Sequence, residues 1–300
     1  MNKTAATTMP WVMFWSLGLI WGSSFIFMKM ASLSLTPLQI VLFRVLCGVV
    51  PVALYAWWHG LYRMWHARHV GHFLVMAVVG TIGYYYGFAK GTSLLLSGVA
   101  GALSGLTPIL SFILAVIFLA DERLTAYRVG GVVVGFLGVV LIADPFAADL
   151  SQTNLEGVAY NIVGSLSVGA SFVYAKRYVV PLEIPFTAVI TYQLALSAVI
   201  LLLVTDLTGA AAIGDDVAAV VGLVVGLGML GTGLAFILYY NIIDALGAVA
   251  AASVAYVPPV VALAIGFALV GEAISALEFA GAMLILIGVV LVNRPSRSGD

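Results

Sequence analysis

Apolar runs of about 18 to 24 residues follow one another almost without pause from Trp11 to Val292, parted only by short turn or charge signals. At 1.5 Å of rise per residue, each run covers the roughly 30 Å of a bilayer's hydrocarbon as a helix. The runs are continuous instead of alternating, which excludes the strands of a membrane barrel. Ten are read: Trp11–Met30, Leu38–Trp58, Val70–Ala89, Leu94–Leu119, Ala126–Ala143, Gly157–Ala175, Phe186–Thr205, Ala218–Asn241, Ala248–Val270 and Ala276–Val292. With 63% hydrophobic residues and 8% charged, too few charges remain to cover a water-facing surface. The expected fold class is an all-α integral membrane protein of ten transmembrane helices.

The first run carries one preceding lysine and no small-residue cleavage pattern, so it reads as a retained helix and not as a signal peptide. With the N-terminus inside, Lys3, Arg63, Arg68, Arg123, Arg128, Lys176, Arg177, Arg294 and Arg297 fall on the inner side. Lys29 and Lys90 fall outside and Arg44 within a run, which places both termini in the cytoplasm of a bacterial inner membrane. Cys47 is the single cysteine and forms no intrachain disulfide. A net charge of −1 argues against a nucleic-acid partner.

The phrase "GSSFIFMK" from Gly22 is echoed by "GASFVYAK" from Gly169, 147 positions on (169 − 22). At a shift of 150, Val99, Ala100, Ala102, Pro108, Glu122, Gly131 and "GVVL" from Gly138 meet Val249, Ala250, Ala252, Pro258, Glu272, Gly281 and "GVVL" from Gly288. Two five-run halves, 1–150 and 151–300, account for the echo. Five is odd, so the second copy enters from the opposite side: inverted repeats, the architecture of secondary transporters that expose one site alternately to each side.

The ending "WGSSFIFMK" of the first run, Pro37 and Arg44 in the second, the proline-centred fourth and ninth runs, and Glu122 and Glu272 before "G…GVVL" resemble the EamA family of the drug/metabolite transporter superfamily. The likeness covers the whole chain and extends to the YddG-type bacterial exporters of aromatic and other amino acids. It implies two five-helix repeats, cytoplasmic termini, no cofactor and the export of metabolites such as amino acids. The second half departs at one point: where Pro37 meets Pro185, Arg44 meets Tyr192.

Candidate site residues follow from depth. Pro108 lies near the middle of the fourth run and Pro258 and Pro259 near the middle of the ninth, where each removes a donor and frees a carbonyl; they are candidate hinges. Trp11, Trp15, Trp57, Trp58 and Trp65 fit an interfacial belt, whereas Trp21 lies mid-run and is the candidate wall for a bulky substrate. Ser24, Ser104, Thr107, Ser165, Ser253 and Tyr256 share that depth, with Tyr84 further out beside Tyr85 and Tyr86, and Tyr239 on the eighth run. Serines in membrane helices are mostly packing residues, so only their convergence recommends them. Arg44, Glu122 and Glu272 read as structural charges; Arg44 lies about 10 Å of helix past Pro37, placed to snorkel, to cap carbonyls or to pair with Glu272. His66, His69 and His72 read as solvating a cytoplasmic helix end, not as a metal site.

Together these point to an exporter of small metabolites, amino acids foremost, with a small-molecule substrate and the lipid bilayer as its partners and a monomer as a plausible state. The rivals are an exporter of cationic drugs or nucleosides and a membrane-embedded enzyme; the latter lacks a buried acid, base or metal cluster in this chain. Inverted halves put residues 123 and 273 on opposite sides of the membrane. In a Cys47→Ser background, Arg123→Cys and Ala273→Cys are expected to react with an impermeant maleimide from opposite faces; labelling from one face would refute the inversion.

Overall fold

A computed structural model describes residues 3–119, 126–143, 154–246 and 254–292, and every regular element among them is helical. In chain order these are α1 (Lys3–Ala31), α2 (Pro37–Trp58), α3 (Met64–Leu94), α4 (Ser97–Phe118), α5 (Ala126–Ala143), α6 (Leu155–Leu182), α7 (Phe186–Val204), α8 (217–246), α9 (Val257–Ala268) and α10 (Ala276–Val292). Seven helices are long and apolar enough to cross a membrane, and α5, α9 and α10 are shorter apolar helices. Glu122, Ser253, Arg123 and Arg294 lie outside the described residues.

Local sequence explains where the helices start. Thr36 opens α2 with a capping box: its hydroxyl accepts from Gln39 N, while Gln39 Oε1 accepts from Thr36 N at 3.0 Å, and Pro37 fills the first helical position. Asn154 caps α6 by accepting from Gly157 N at 3.0 Å.

Two helices are wound irregularly at matching places. In α3 a π-helical stretch, Val78–Gly83, joins two α-helical pieces. In α8 the stretch is longer, Gly222–Leu234, and Thr232 Oγ1 donates to the carbonyl of Leu227, five residues back. A shift of 150 carries 78–83 onto 228–233, inside the second stretch.

The proline helices differ from each other. α4 is two segments, Ser97–Ser104 and Leu106–Phe118, broken at Gly105. Pro108 has no N–H to return to the carbonyl of Ser104, so the break falls where the missing bond would have closed. In the ninth run the expected mid-helix kink is not what the described residues display. A 3₁₀ turn, Val254–Tyr256, leads into α9, and Pro258 and Pro259 stand in its first turn. There an N–H has no intrahelical partner in any case, so the pair starts the helix instead of bending it.

Close crossings are built from small residues. Along α3, Gly80, Gly83, Gly87 and Gly91 face Ser171, Ser167, Gly164 and Asn161 of α6, one rank rising as the other falls. α5 and α10 cross more tightly still. A Cβ on Gly281 would stand 2.6 Å from Gly138 O, and one on Gly288 would stand 2.6 Å from Gly131 O. The two contacts run antiparallel, and the shift of 150 turns 131 into 281 and 138 into 288, so exchanging the copies turns one contact into the other. Without a hydrophobic driving force in lipid, such close backbone approach supplies the van der Waals adhesion. Outward, α5 presents Val133, Phe136 and Leu137, all more than half exposed, as a lipid-facing surface should.

Gly288→Leu forces a side chain into the backbone of α5, and overpacking of this kind costs about 1–3 kcal/mol. The expected result is a lower melting temperature in detergent, while Gly130→Ala, whose added carbon meets nothing within 4 Å, leaves it unchanged.

Candidate functional site

The tight elbow between α3 and α4 anchors one end of the site. Lys29, at the end of α1, donates to the carbonyls of Ser93 at 3.2 Å and Leu95 at 2.8 Å, the orphan acceptors where α3 stops. Glu272, between α9 and α10, takes the orphan donors where α4 starts: Ser97 N at 2.8 Å, Ser97 Oγ at 2.6 Å and Gly98 N at 2.9 Å. A cation therefore sits on a helix C-terminus and an anion on a helix N-terminus, each matching the local dipole. Lys90 and Glu156 approach to 3.5 Å at the same end, an exposed pair that adds little. Glu272 is thus occupied by the α4 terminus, and it is not the partner of Arg44 that the sequence allowed.

Arg44 is buried in the α2–α8 contact, 4% exposed. Its Nε donates to Thr232 Oγ1 at 3.0 Å and its Nη2 to Gly231 O at 3.3 Å, within the π stretch of α8. The guanidinium lies 3.9 Å from the ring centroid of Tyr85, and a cation–π contact this desolvated is worth about 2 kcal/mol. Of the three expected roles, Arg44 takes carbonyl capping. Among the described residues no carboxylate lies within salt-bridge distance of it.

The opposite pairing of helices repeats the bridge. Gln193 of α7 donates through Nε2 to Thr81 Oγ1 of α3 at 2.7 Å, both side chains buried. The offsets are 149 (193 − 44) and 151 (232 − 81), so Gln193 and Thr81 are the counterparts of Arg44 and Thr232. This corrects the sequence alignment, which set Tyr192 opposite Arg44. Tyr192 instead hydrogen-bonds to His66 Nδ1 at 3.0 Å and stacks on Phe73. His66 is buried there, not solvating a helix end.

The candidate wall residues lie on α1, α3, α4, α6 and α8. Thr107 Oγ1 donates to Ser165 Oγ at 3.2 Å, joining α4 to α6 one turn from the contact of Gly169 with Ser111. Tyr84 is half-buried and packs against the core shared by α2, α3 and α7. Its ring lies 4.5 Å from that of Tyr85 and 5.2 Å from that of Phe88. Trp21 is likewise half-buried, its ring 5.8 Å from Tyr239, in a cluster with Leu17, Ala235 and Val257. Gly18 and Gly22, flanking Trp21, press against Val257 and Val261, so α1 meets α9 at the level of its prolines. Across α9, Gly101 and Gly105 of α4 pack on Ala262 and Pro259.

Not every candidate converges. Ser24 spends its hydroxyl on Ile20 O at 3.0 Å and Ser104 on Gly101 O at 2.6 Å, both within their own helices. Ser253 lies outside the described residues, and only the backbone of Tyr256 is described. The residues that sequence reasoning passed over are Thr81, Thr232 and Gln193. One signal pointed to the threonines: "GTIG" from Gly80 and "GTG" from Gly231 are copies of each other.

Residues 9–143, and again 155–294, match the model of the EamA-like transporter family. The chain belongs to the EamA-like transporter family. Membership makes it a multi-pass membrane transporter with a small-molecule substrate, not an enzyme. It is 25% identical over 276 residues to YoaV, an uncharacterized transporter of Bacillus subtilis (strain 168), covering 92% of this chain and 94% of that one. An uncharacterized transporter of Archaeoglobus fulgidus is 28% identical over 222 residues, 73% of this chain and 76% of its own. YedA, an uncharacterized inner membrane transporter of Escherichia coli (strain K12), is 24% identical over 292 residues, 93% of this chain and 88% of its own. A protein of known crystal structure shares the fold, with a TM-score of 0.58 at 18% identity over 97% of this chain and 96% of that one.

Glu272→Ala strips three donors of the α4 elbow of their acceptor, and a buried donor left unpaired costs about 1–3 kcal/mol. The expected outcome is a melting temperature several degrees lower, while Glu156→Ala, which removes an exposed pair, lowers it by less than a degree or two.

Proposed function

We propose that this EamA-family transporter is a secondary exporter of small metabolites, amino acids with bulky or aromatic side chains foremost, working by alternating access in a bacterial inner membrane. Two halves, residues 1–150 and 151–300, are inverted five-helix repeats with both termini cytoplasmic. They rock about a shared midplane site. The observation that carries this reading is the reciprocal glycine crossing of α5 and α10, because contacts that exchange under the repeat and run antiparallel are those of a twofold axis perpendicular to both helices. The paired π stretches of α3 and α8 and the double family match agree with it.

The substrate class rests on the walls. Trp21, Tyr84 and Tyr239 offer partly open aromatic surface deep in the bundle, suited to stacking and apolar contact. Thr107 and Ser165 offer hydroxyls one side chain away from each other for a polar substrate group. The broken turn at Gly105 and Pro108, and the prolines that open α9, are the points where α4 and α9 bend as the halves exchange. Ser24, Ser104, Ser253 and Tyr256 complete the proposed lining, of which Ser24 and Ser104 already serve their own helices.

Reconstitution in proteoliposomes with a panel of amino acids tests the substrate class. Counterflow of phenylalanine or tryptophan is expected, and Trp21→Ala is expected to weaken it about tenfold while sparing alanine or threonine. Absence of flux with every amino acid would remove this substrate class while leaving the family assignment intact.

A further inference from the structure

We infer that Arg44 is an anion-recognition residue, and that the group it receives is the carboxylate of the substrate; the inference rests on the transport reading above and narrows its substrate class. The argument begins with the internal control that the molecule supplies. Each half must tie a second-type helix to a π-wound third-type helix through a buried threonine, and in one half a neutral amide does so, Gln193 on Thr81 at 2.7 Å. The other half makes the same bridge with a guanidinium, Arg44 on Thr232 at 3.0 Å. The joint itself therefore does not call for a charge.

A charge at that place is costly. Arg44 is 4% exposed and places a guanidinium inside the bundle. It has five N–H donors, yet among the described residues oxygen partners are present for Nε and one Nη2 hydrogen alone, while Nη1 faces the thioether of Met28 at 4.0 Å. Thioether sulfur is a weak acceptor, and the remaining support is the face of Tyr85. Among the described residues no carboxylate balances the cation. A buried cation without a counterion, its outer donors poorly served, is half of an ion pair whose other half arrives from outside.

An aromatic pair links the guanidinium to a less buried ring. Tyr85, which stacks on the guanidinium, is in ring contact with Tyr84, which is half-buried. A substrate resting its apolar part on Tyr84 has its carboxylate one ring away from Nη1. The π winding of α8 around Gly231 and Thr232 brings its backbone up to the guanidinium, with Cys47 and Pro51 of α2 seated against Gly228 and Gly233. The same charge disfavours cationic substrates, which separates this reading from the export of cationic drugs.

The test uses the full-length protein in detergent and in proteoliposomes, with four probes sharing one phenyl ring: phenylalanine, 3-phenylpropionate, phenylalaninamide and phenethylamine. Binding is read by thermal shift and by competition. In the wild type the two carboxylates are expected to bind at least tenfold more tightly than the two probes lacking one. Arg44→Gln, which copies the natural bridge at Gln193, is expected to keep its melting temperature within a few degrees, to lose at least tenfold in affinity for both carboxylates, and to change less than twofold for the other two. Equal losses for all four probes, or none for the carboxylates, overturn the inference. If the variant does not fold, the wild-type ranking decides alone: no preference for carboxylates, or no shift with either at millimolar concentration, overturns it. Binding of 3-phenylpropionate without phenylalanine would remove amino acids as substrates and leave the role of Arg44 standing.

Discussion

Inside hydrocarbon a backbone donor or acceptor that leaves its helix cannot turn to water, and this constraint decides where the chain can bend. The turn from α3 to α4 takes only Leu95 and Leu96, so carbonyls at the end of one helix and amides at the start of the next are exposed within a few ångströms of each other. Lys29 and Glu272 meet them from two distant parts of the chain. Because one residue stands in the last turn of the first helix and the other precedes the tenth, the elbow joins the beginning and the end of the sequence. The same rule places Ser167 Oγ on the carbonyl of Val79 at 2.7 Å, where the π winding of α3 loosens its own ladder.

With polar needs met locally, adhesion between helices is left to shape. α5 and α10 touch backbone to backbone through glycines, as do α3 and α6. Side chains fill the spaces the glycines leave: Ile142 and Ile285 lodge against Gly281 and Gly138, and Asn161 against Gly91. By contrast, Leu42, Leu194 and Leu201 are wholly enclosed around the α2–α7 pairing, with Ile190 beside them. The bundle therefore combines crossings built on glycine with crossings built on large apolar side chains.

The sequence disclosed most of the architecture because length and apolarity set the spans and the duplicated phrases set their order. It disclosed the joints poorly. "GVVL" at Gly138 and Gly288 is visible as an echo, but nothing in the letters says that Gly131 will meet Gly288 and not Gly281. The bridge from Arg44 was missed for a similar reason. A constant shift of 148 sets Tyr192 opposite it, whereas the offset drifts from 147 at Gly22 to 151 at Thr81, and one residue of drift on a helix turns a side chain by about 100° to another neighbour. Ser24 and Ser104 satisfy their own helices, because a short hydroxyl reaches the carbonyl of the preceding turn more easily than a neighbouring helix. Thr107 and Ser165 escaped that fate where two helices cross closely, with Gly169 of α6 against Ser111 of α4.

Alternation between two halves asks for joints that are alike, whereas recognition of an asymmetric molecule asks for walls that are not. The chain separates the two demands by position. Its glycines recur: Gly131 and Gly138 return as Gly281 and Gly288. Its polar wall residues do not: at the shift of 150, Ser104 and Thr107 of α4 meet Val254 and Val257 of α9, and the cation of Arg44 meets the amide of Gln193 through the drifted register. A duplicated chain starts with both joints and walls in pairs. Divergence confined to such positions leaves the recurring glycine contacts intact while the hydroxyls, the guanidinium and the aromatic faces come to differ between the two copies.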